Sequence, residues 1–369
     1  MEPKLLSVVI PAYNSASFIG KLFKKVPFDQ LHEEIEFVVI NDGSKDNTWQ
    51  VLQEIQAQYG QNYVRIYNKE NGGWGSVHNY AKHIPLYGKY TKTLDSDDYF
   101  DPYALLKFLE FLKNLPSGID IIFSNVNFIN MDDEIMTQKF YDAIFPTDFF
   151  KIDEITFTKF SVLNIHTFTT LTKIYQSIPD LPVHMSYMDS VLIFLLVNAC
   201  TNKCAFFKEA PLYQYQVGNE SQSISIQNLA KHADWLRTVI VTQANYFNSL
   251  HMDQTNSKKK NLNLAQMMQL SYFLYCYGIV NKADLTNAQK AKLMYQELKE
   301  VKNILGVNYE KYFADFTINL IKFLHCKLLP NIINLAAMVI NTGYLKATKK
   351  DGKWLNGGMM VQKKNKQNN

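Results

Sequence analysis

The chain has 369 residues, 47% of them apolar, 14% aromatic and 20% charged, which excludes a chain disordered throughout and leaves room for two domains or one domain with a large extension. The net charge is +4, but residues 346–369 hold seven Lys and one Asp, so the other residues sum to −2. A near-neutral body speaks against nucleic-acid binding, and the basic tail meets water, phosphate or an anionic surface. Four Cys (Cys200, Cys204, Cys276, Cys326) in a chain this long make no disulfide framework, and no CxxC pair exists. Cys200 and Cys204 read as two packed thiols in a reducing compartment.

The apolar run Leu5 to Ile10 is too short for a signal-peptide core and suits a strand. Residues 16–26 place Phe18, Ile19, Leu22, Phe23 and Val26 at helical spacing. Glu36 to Ile40 is a second strand, Asn41 to Ser44 a turn, and residues 48–59 a helix. Val64 to Tyr67 is a third strand, followed by a glycine-rich loop and a helix near 75–84. Tyr90 to Leu94 is a fourth strand. Asp101-Pro102 opens a helix, Asp as N-cap and Pro at the first helical position. Residues 119–129 read as one more strand, and 140–225 are mixed. Helices are expected over 228–250, 262–280, 286–304 and 309–325. Strand alternating with helix implies a mainly parallel sheet covered on both faces. Two uncharged runs, Asn261 to Asn281 and Leu328 to Leu345, carry too many polar residues to span a bilayer; the first reads as a packed helix, the second as packed or interfacial.

Ligands of open parallel sheets bind beyond the carboxyl ends of the strands. Here those ends carry Pro11-Ala12-Tyr13-Asn14, Asn41-Asp42-Gly43-Ser44, Asn71-Gly72-Gly73-Trp74-Gly75-Ser76 and Asp95-Ser96-Asp97-Asp98. Asp95 and Asp97 are two apart and point to one side of a strand end. Two such carboxylates repel unless a proton or cation lies between them. A divalent cation, Mg²⁺ or Mn²⁺, held by carboxylate and diphosphate oxygens answers this; a surface turn leading into a helix cap is the other reading. The glycines at 72, 73 and 75 permit a tight turn or close approach to a ligand. Neither a G-x-G-x-x-G after the first strand nor a P-loop exists.

These four clusters, in this order and approximate spacing, resemble family 2 glycosyltransferases, inverting enzymes of GT-A fold that use nucleotide sugars. Tyr187-Met188-Asp189 is similar to the family's later acidic motif. Tyr213-Gln214-Tyr215, Gly218 and Gln222-Ser223-Ile224-Ser225 resemble a segment of many bacterial members. The resemblance implies that Pro11, Ala12, Tyr13 and Asp42, with Gly43, Asn71, Gly72, Gly73 and Ser96, form the nucleotide-sugar pocket, uracil being the expected base. It implies further that Asp95 contacts ribose or sugar phosphate, that Asp97 binds the metal, and that Asp189 is the general base. Trp74, His78, His166, Gln222 and Ser223 are candidate acceptor or phosphate contacts, each weighed against plain packing, exposure or helix capping. The chain departs from the family at Asn41, where many members have Asp, and at His78, where many have Arg.

The expected architecture is α/β: a GT-A domain over 1–225, a helical region over 226–330, and a basic, membrane-peripheral or simply solvated tail over 331–369. The expected activity moves a sugar from a UDP-sugar to a hydroxyl of a glycan, lipid-linked or cell-envelope acceptor, in the cytoplasm or at the inner face of the plasma membrane. A homo-oligomer is left open. Two rivals remain: a sugar nucleotidyltransferase, which needs a basic glycine-rich loop that Pro11 to Gly20 lacks, and a non-catalytic sugar-binding module on the same fold.

Overall fold

The structure is a computed structural model, and it describes residues 3–139, 145, 147–155, 164–217, 226–249 and 258–308. Gln222, Ser223, the helix expected over 309–325, Cys326 and the basic tail lie outside these residues. The chain opens with strand β1 (Lys4–Ala12), helix α1 (Ile19–Lys25), β2 (Ile35–Asp42), α2 (Thr48–Tyr59), β3 (Val64–Lys69), α3 (Trp74–His83) and β4 (Gly88–Thr93). β5 (Tyr99–Phe100), α4 (Pro102–Lys113), β6 (Ile119–Ser124), β7 (Val126–Ile129), β8 (Ile135–Lys139) and β9 (Phe149–Lys151) follow. Then come β10 (Phe168–Leu171), α5 (Thr172–Ser177), α6 (Met188–Ala199), β11 (Lys203–Phe207) and β12 (Tyr213–Gln216). The chain continues as α7 (Ile226–Lys231), α8 (Ala233–Ser249), α9 (Lys258–Val280) and α10 (Asn287–Leu305).

The main sheet has the order β3-β2-β1-β4-β10-β6-β11-β9. β3, β2, β1 and β4 are parallel, while β10 enters antiparallel between β4 and β6. A smaller sheet has the order β5-β12-β7-β8. The single strand expected over 119–129 is therefore two: after Asn125 the chain leaves the main sheet and joins the smaller one.

Alternation along the strands builds two cores. Leu6, Val8 and Ile10 of β1 face the core under α1 and α4, with Phe23 and Phe108. Val9, Val38 and Ile40 face the other core, with Val77 of α3 and Leu192 of α6. The C-terminal helices extend this second core through Leu236, Ile240, Met268 and Leu298. The uncharged run at 261–281 is the packed helix α9, and among the described residues no helix is long and apolar enough to cross a membrane.

Local signals hold at helix ends. Asp101 caps α4, its carboxylate accepting from the Ala104 N–H at 2.9 Å, with Pro102 in the first turn. Cys200 and Cys204 are buried with sulfurs 3.7 Å apart, one ending α6 and one on β11.

Candidate functional site

The carboxyl ends of β1, β2, β3 and β4 form one rim, and side chains cross-tie its loops. The Asn14 N–H donates to Ser44 Oγ at 2.9 Å and Asn14 Oδ1 accepts from the Lys45 N–H at 2.9 Å. The Ser15 N–H donates to Thr48 Oγ1 at 2.7 Å, and Ser15 Oγ lies 2.9 Å from Ser96 Oγ. Pro11 is half-buried, Ala12 is buried, and Tyr13 presents an exposed ring. A groove of about 570 Å³ runs along the rim at Asn41, Gly43, Ser44, Asn68 and Lys69.

Asp42 is buried at the end of β2. One carboxylate oxygen accepts from Lys69 Nζ at 2.6 Å and the Gly72 N–H at 3.0 Å. The other accepts from the Gly73 N–H at 2.7 Å and Asn71 Nδ2 at 3.2 Å. Gly43 has φ +66°, and a Cβ there would lie 2.6 Å from the Asn71 nitrogen, so only glycine fits. The later glycines make room for protein. A Cβ on Gly75 would lie 2.4 Å from the Pro182 carbonyl oxygen, while Gly73 has φ +81° and a Cβ there would be in ordinary contact with the Met185 backbone. Gly72 O accepts from the His184 N–H at 2.5 Å.

That contact brings in the acidic arm. Residues 178–187 run from α5 to α6, held by α3. Asn79 bonds Leu181 in both directions at 2.8 Å, and Lys82 Nζ donates to the Ile178 and Pro179 carbonyls. Tyr187 takes a left-handed φ of 66° before α6, which places Asp189 in the first helical turn. There the helix N-terminus favours its charge. Asp189 lies 92 residues beyond Asp97, yet its charge reaches Asp95.

Burial pushes the Asp95 carboxyl up to about 7, the charges of Asp97 and Asp189 add to this, and a 3.3 Å hydrogen bond from Trp74 Nε1 opposes it. Burial also raises Asp97 and Asp189. Asp98 is held well above the carboxylate range by burial and by Asp97 and Asp95. Asp98 accepts from the Tyr213 hydroxyl at 2.8 Å and the Gln216 N–H at 2.7 Å. The Tyr213 oxygen in turn accepts from the Asp95 N–H at 3.0 Å, so β12 clamps the acidic turn.

Two expected contacts, His78 and His166, change character. His78 is buried: its Nδ1 lies 2.7 Å from the Tyr175 hydroxyl and its ring packs under Trp74, so it cannot touch an acceptor or phosphate. Burial, with Lys82 nearby, pushes it down to about 3. Tyr213 is likewise internal, and Tyr215 is half-buried. His166 is buried between the rings of Tyr213 and Tyr215, at 4.5 and 4.6 Å. Burial and Lys92 hold it neutral, at about 3.

Two members of the site were not singled out from the sequence. Asp98 was visible in the acidic run, but its role needs Tyr213. Lys92 is a charged residue in a strand otherwise suited to burial, and that was its signal. It is buried, donates to the His166 and Phe168 carbonyls at 2.7 and 3.1 Å, and is pushed down to about 7 by burial.

The chemistry of this donor set fits a divalent cation. Asp95, Asp98 and His166 each offer one ligand atom, all within 4.8 Å of one another, and the buried His166 Nδ1 has no hydrogen-bond partner among the described residues. Asp97, expected as the metal ligand, is beside this triplet rather than in it.

Comparison with known proteins agrees with the rim. Residues 7–188 match the family model described as Glycosyl transferase family 2. An uncharacterized glycosyltransferase of Mycoplasma genitalium is 41% identical over 110 residues, 29% of this chain and 37% of that protein. Chondroitin synthase of Pasteurella multocida is 42% identical over 112 residues, 30% of this chain and 11% of that protein. The chain thus spans little more than a third of the length of such relatives at most. Among solved structures, S. aureus TarS matches with TM-score 0.52 and 16% identity, over 82% of this chain and 54% of TarS. TarS residues 1–349 in complex with UDP match with TM-score 0.51 and 15% identity, over 82% of this chain and 89% of that one. At this identity the likeness shows the fold, a mixed α/β architecture of GT-A type.

Proposed function

The chain belongs to glycosyl transferase family 2 over residues 7–188, and we propose that it moves a sugar from a UDP-sugar to a hydroxyl of a glycan, lipid-linked or cell-envelope acceptor, inverting the anomeric carbon with the help of a divalent cation. The observation that carries this reading is the Asp95-Ser96-Asp97-Asp98 turn on the carboxyl rim of a parallel sheet, with the charge of Asp189 reaching Asp95 from the first turn of α6. The UDP complex of TarS supports the choice of donor class.

In this reading Pro11, Ala12, Tyr13, Gly43, Asn71, Gly72, Gly73 and Ser96 shape the nucleotide pocket, with Tyr13 as the exposed ring. Asp97, with Asp95, Asp98 and His166 beside it, would hold Mn²⁺ or Mg²⁺ against the diphosphate. The cation, when bound, neutralises charge on the departing nucleoside diphosphate. Asp189 accepts the proton of the acceptor hydroxyl as its oxygen attacks the anomeric carbon. The bond from that carbon to the diphosphate oxygen breaks on the opposite side, and the electron pair leaves with the nucleotide. Burial raises the basicity of Asp189, which suits a general base. Trp74, hydrogen-bonded to Asp95, forms the wall beside the reacting centre. Residues 1–225 carry this chemistry, and the helical region from 226 braces α6.

Asp189→Asn tests the reading. General-base catalysis is worth about 10²–10⁴-fold, so kcat falls by that factor while UDP affinity stays as in the wild type. A variant with unchanged kcat refutes the role of Asp189.

A further inference from the structure

We propose that the helical region from 226 belongs to the reacting unit: Gln243, Tyr246 and Lys260 are positioning residues that set where Asp189 stands, and they leave donor binding untouched. The proposal rests on the role of Asp189 given above. α6, whose first turn carries Asp189, buries Met188 and every residue from Val191 to Val197. Apolar burial has no direction, so a helix apolar on all sides can turn or slide in its socket at little cost. Polar contacts at its ends fix it, and the helical region supplies them at both. Buried Gln243 of α8 donates through Nε2 to the Ser190 carbonyl at 3.2 Å, one residue beyond Asp189. Buried Lys260 of α9 donates through Nζ to the Asn198 and Cys200 carbonyls, both at 2.6 Å. The last carbonyls of a helix lack intrahelical partners and carry its negative pole, so an ammonium is favoured there.

α8 also holds the arm that leads into Asp189. Tyr246 lies three residues beyond Gln243, on the same face of α8, and its hydroxyl donates to the Asp180 carbonyl at 2.9 Å. Asn79 and Lys82 of α3 grip the same stretch, so the sheet domain and the helical region hold it together. Between Asp180 and Ser190, the two carbonyls that α8 engages, the chain takes two left-handed non-glycine conformations, His184 at φ 58° and Tyr187 at φ 66°. Such residues keep this conformation only when neighbours impose it. Gln243 is a costly choice for packing alone, because its Oε1 is buried with no hydrogen-bond partner among the described residues. What the amide adds over an apolar side chain of that size is its bond to Ser190.

Hydrogen–deuterium exchange and carbon-13 NMR on the full chain test this, with wild type, Gln243→Met, Tyr246→Phe and Lys260→Met compared. In Gln243→Met the orphan oxygen goes with the amide, so the melting temperature stays near that of the wild type. Exchange across residues 187–194 nevertheless rises by about tenfold, while β1 and β2 stay protected. Tyr246→Phe loosens residues 178–187, and Lys260→Met loosens residues 194–200. The carboxyl carbon-13 resonance of Asp189, assigned by its loss in Asp189→Asn, shifts in Gln243→Met. UDP affinity, measured with Mn²⁺, stays as in the wild type. Unaltered exchange along α6 with an unmoved Asp189 resonance overturns the proposal. So does a fall in melting temperature with faster exchange throughout β1 and β2, which would mark a role in packing alone, or a loss of UDP affinity in step with the exchange. Should Gln243→Met not fold, Tyr246→Phe decides by the same readouts. A wild type that does not bind UDP would count against the glycosyltransferase reading, and the exchange comparison would still decide the role of α8 and α9.

Discussion

The two halves of the rim differ in how completely the protein satisfies itself. Around β1, β2 and β3, the loops bond to each other, and the Asp42 carboxylate accepts from Lys69, Asn71, Gly72 and Gly73. Around β4, β10 and β12, Asp98 is buried, Asp95, Asp97 and Asp189 are half-buried, all four are raised by burial, and among the described residues His166 Nδ1 has no hydrogen-bond partner. Buried polar groups without partners are expensive, and raised carboxyl groups record that expense. The first half is a finished scaffold. In the proposed reading the second half is completed by a cation and an anionic ligand, and it is where the reacting centre lies.

Breaking the clamp under the incomplete half gives the largest stability effect. Tyr213→Phe leaves Asp98 and the Asp95 N–H without their buried partner. Leaving a buried polar group unsatisfied costs about 1–3 kcal/mol, so chemical denaturation shows a loss in that range. A smaller, sharper test uses pH. The folded pKa values of Asp95, Asp97, Asp98 and Asp189 lie above their unfolded values, so the folded state binds more protons. Their contribution is present below the ordinary carboxylate range and is lost as pH rises through about 7, the Asp95 value. A cation competes with those protons. The melting-temperature gain from Mn²⁺ therefore grows between pH 5 and pH 8. A gain that is flat with pH would separate the cation from this cluster.

Much of the finished half was legible because its signals are local. The helix over 48–59 has the bounds its sequence implied, Asp101-Pro102 caps where expected, and Gly43 sits where only glycine fits. The incomplete half is assembled from afar. β10 inserts between β4 and β6 from a region whose pattern was mixed, and no local periodicity announces such an insertion. Asp98 looked like one more acid until Tyr213 reached it, 115 positions away. For His78 and His166 the sequence left contact and plain packing side by side, and both are buried. The glycines after Asn71 announced a close approach correctly, but the backbone of Pro182 and Met185, as well as any ligand, is what approaches.

The most direct measurement is thermal-shift binding of UDP with Mn²⁺ and with EDTA, on wild type and Asp97→Ala. A ligand at about 100 times its Kd stabilises by about 2.7 kcal/mol, a clear shift in melting temperature. The account predicts that shift with Mn²⁺ in the wild type and its loss both in EDTA and in Asp97→Ala. An equal shift in EDTA, or no response to UDP at all, would contradict a metal-dependent UDP-sugar site on this rim.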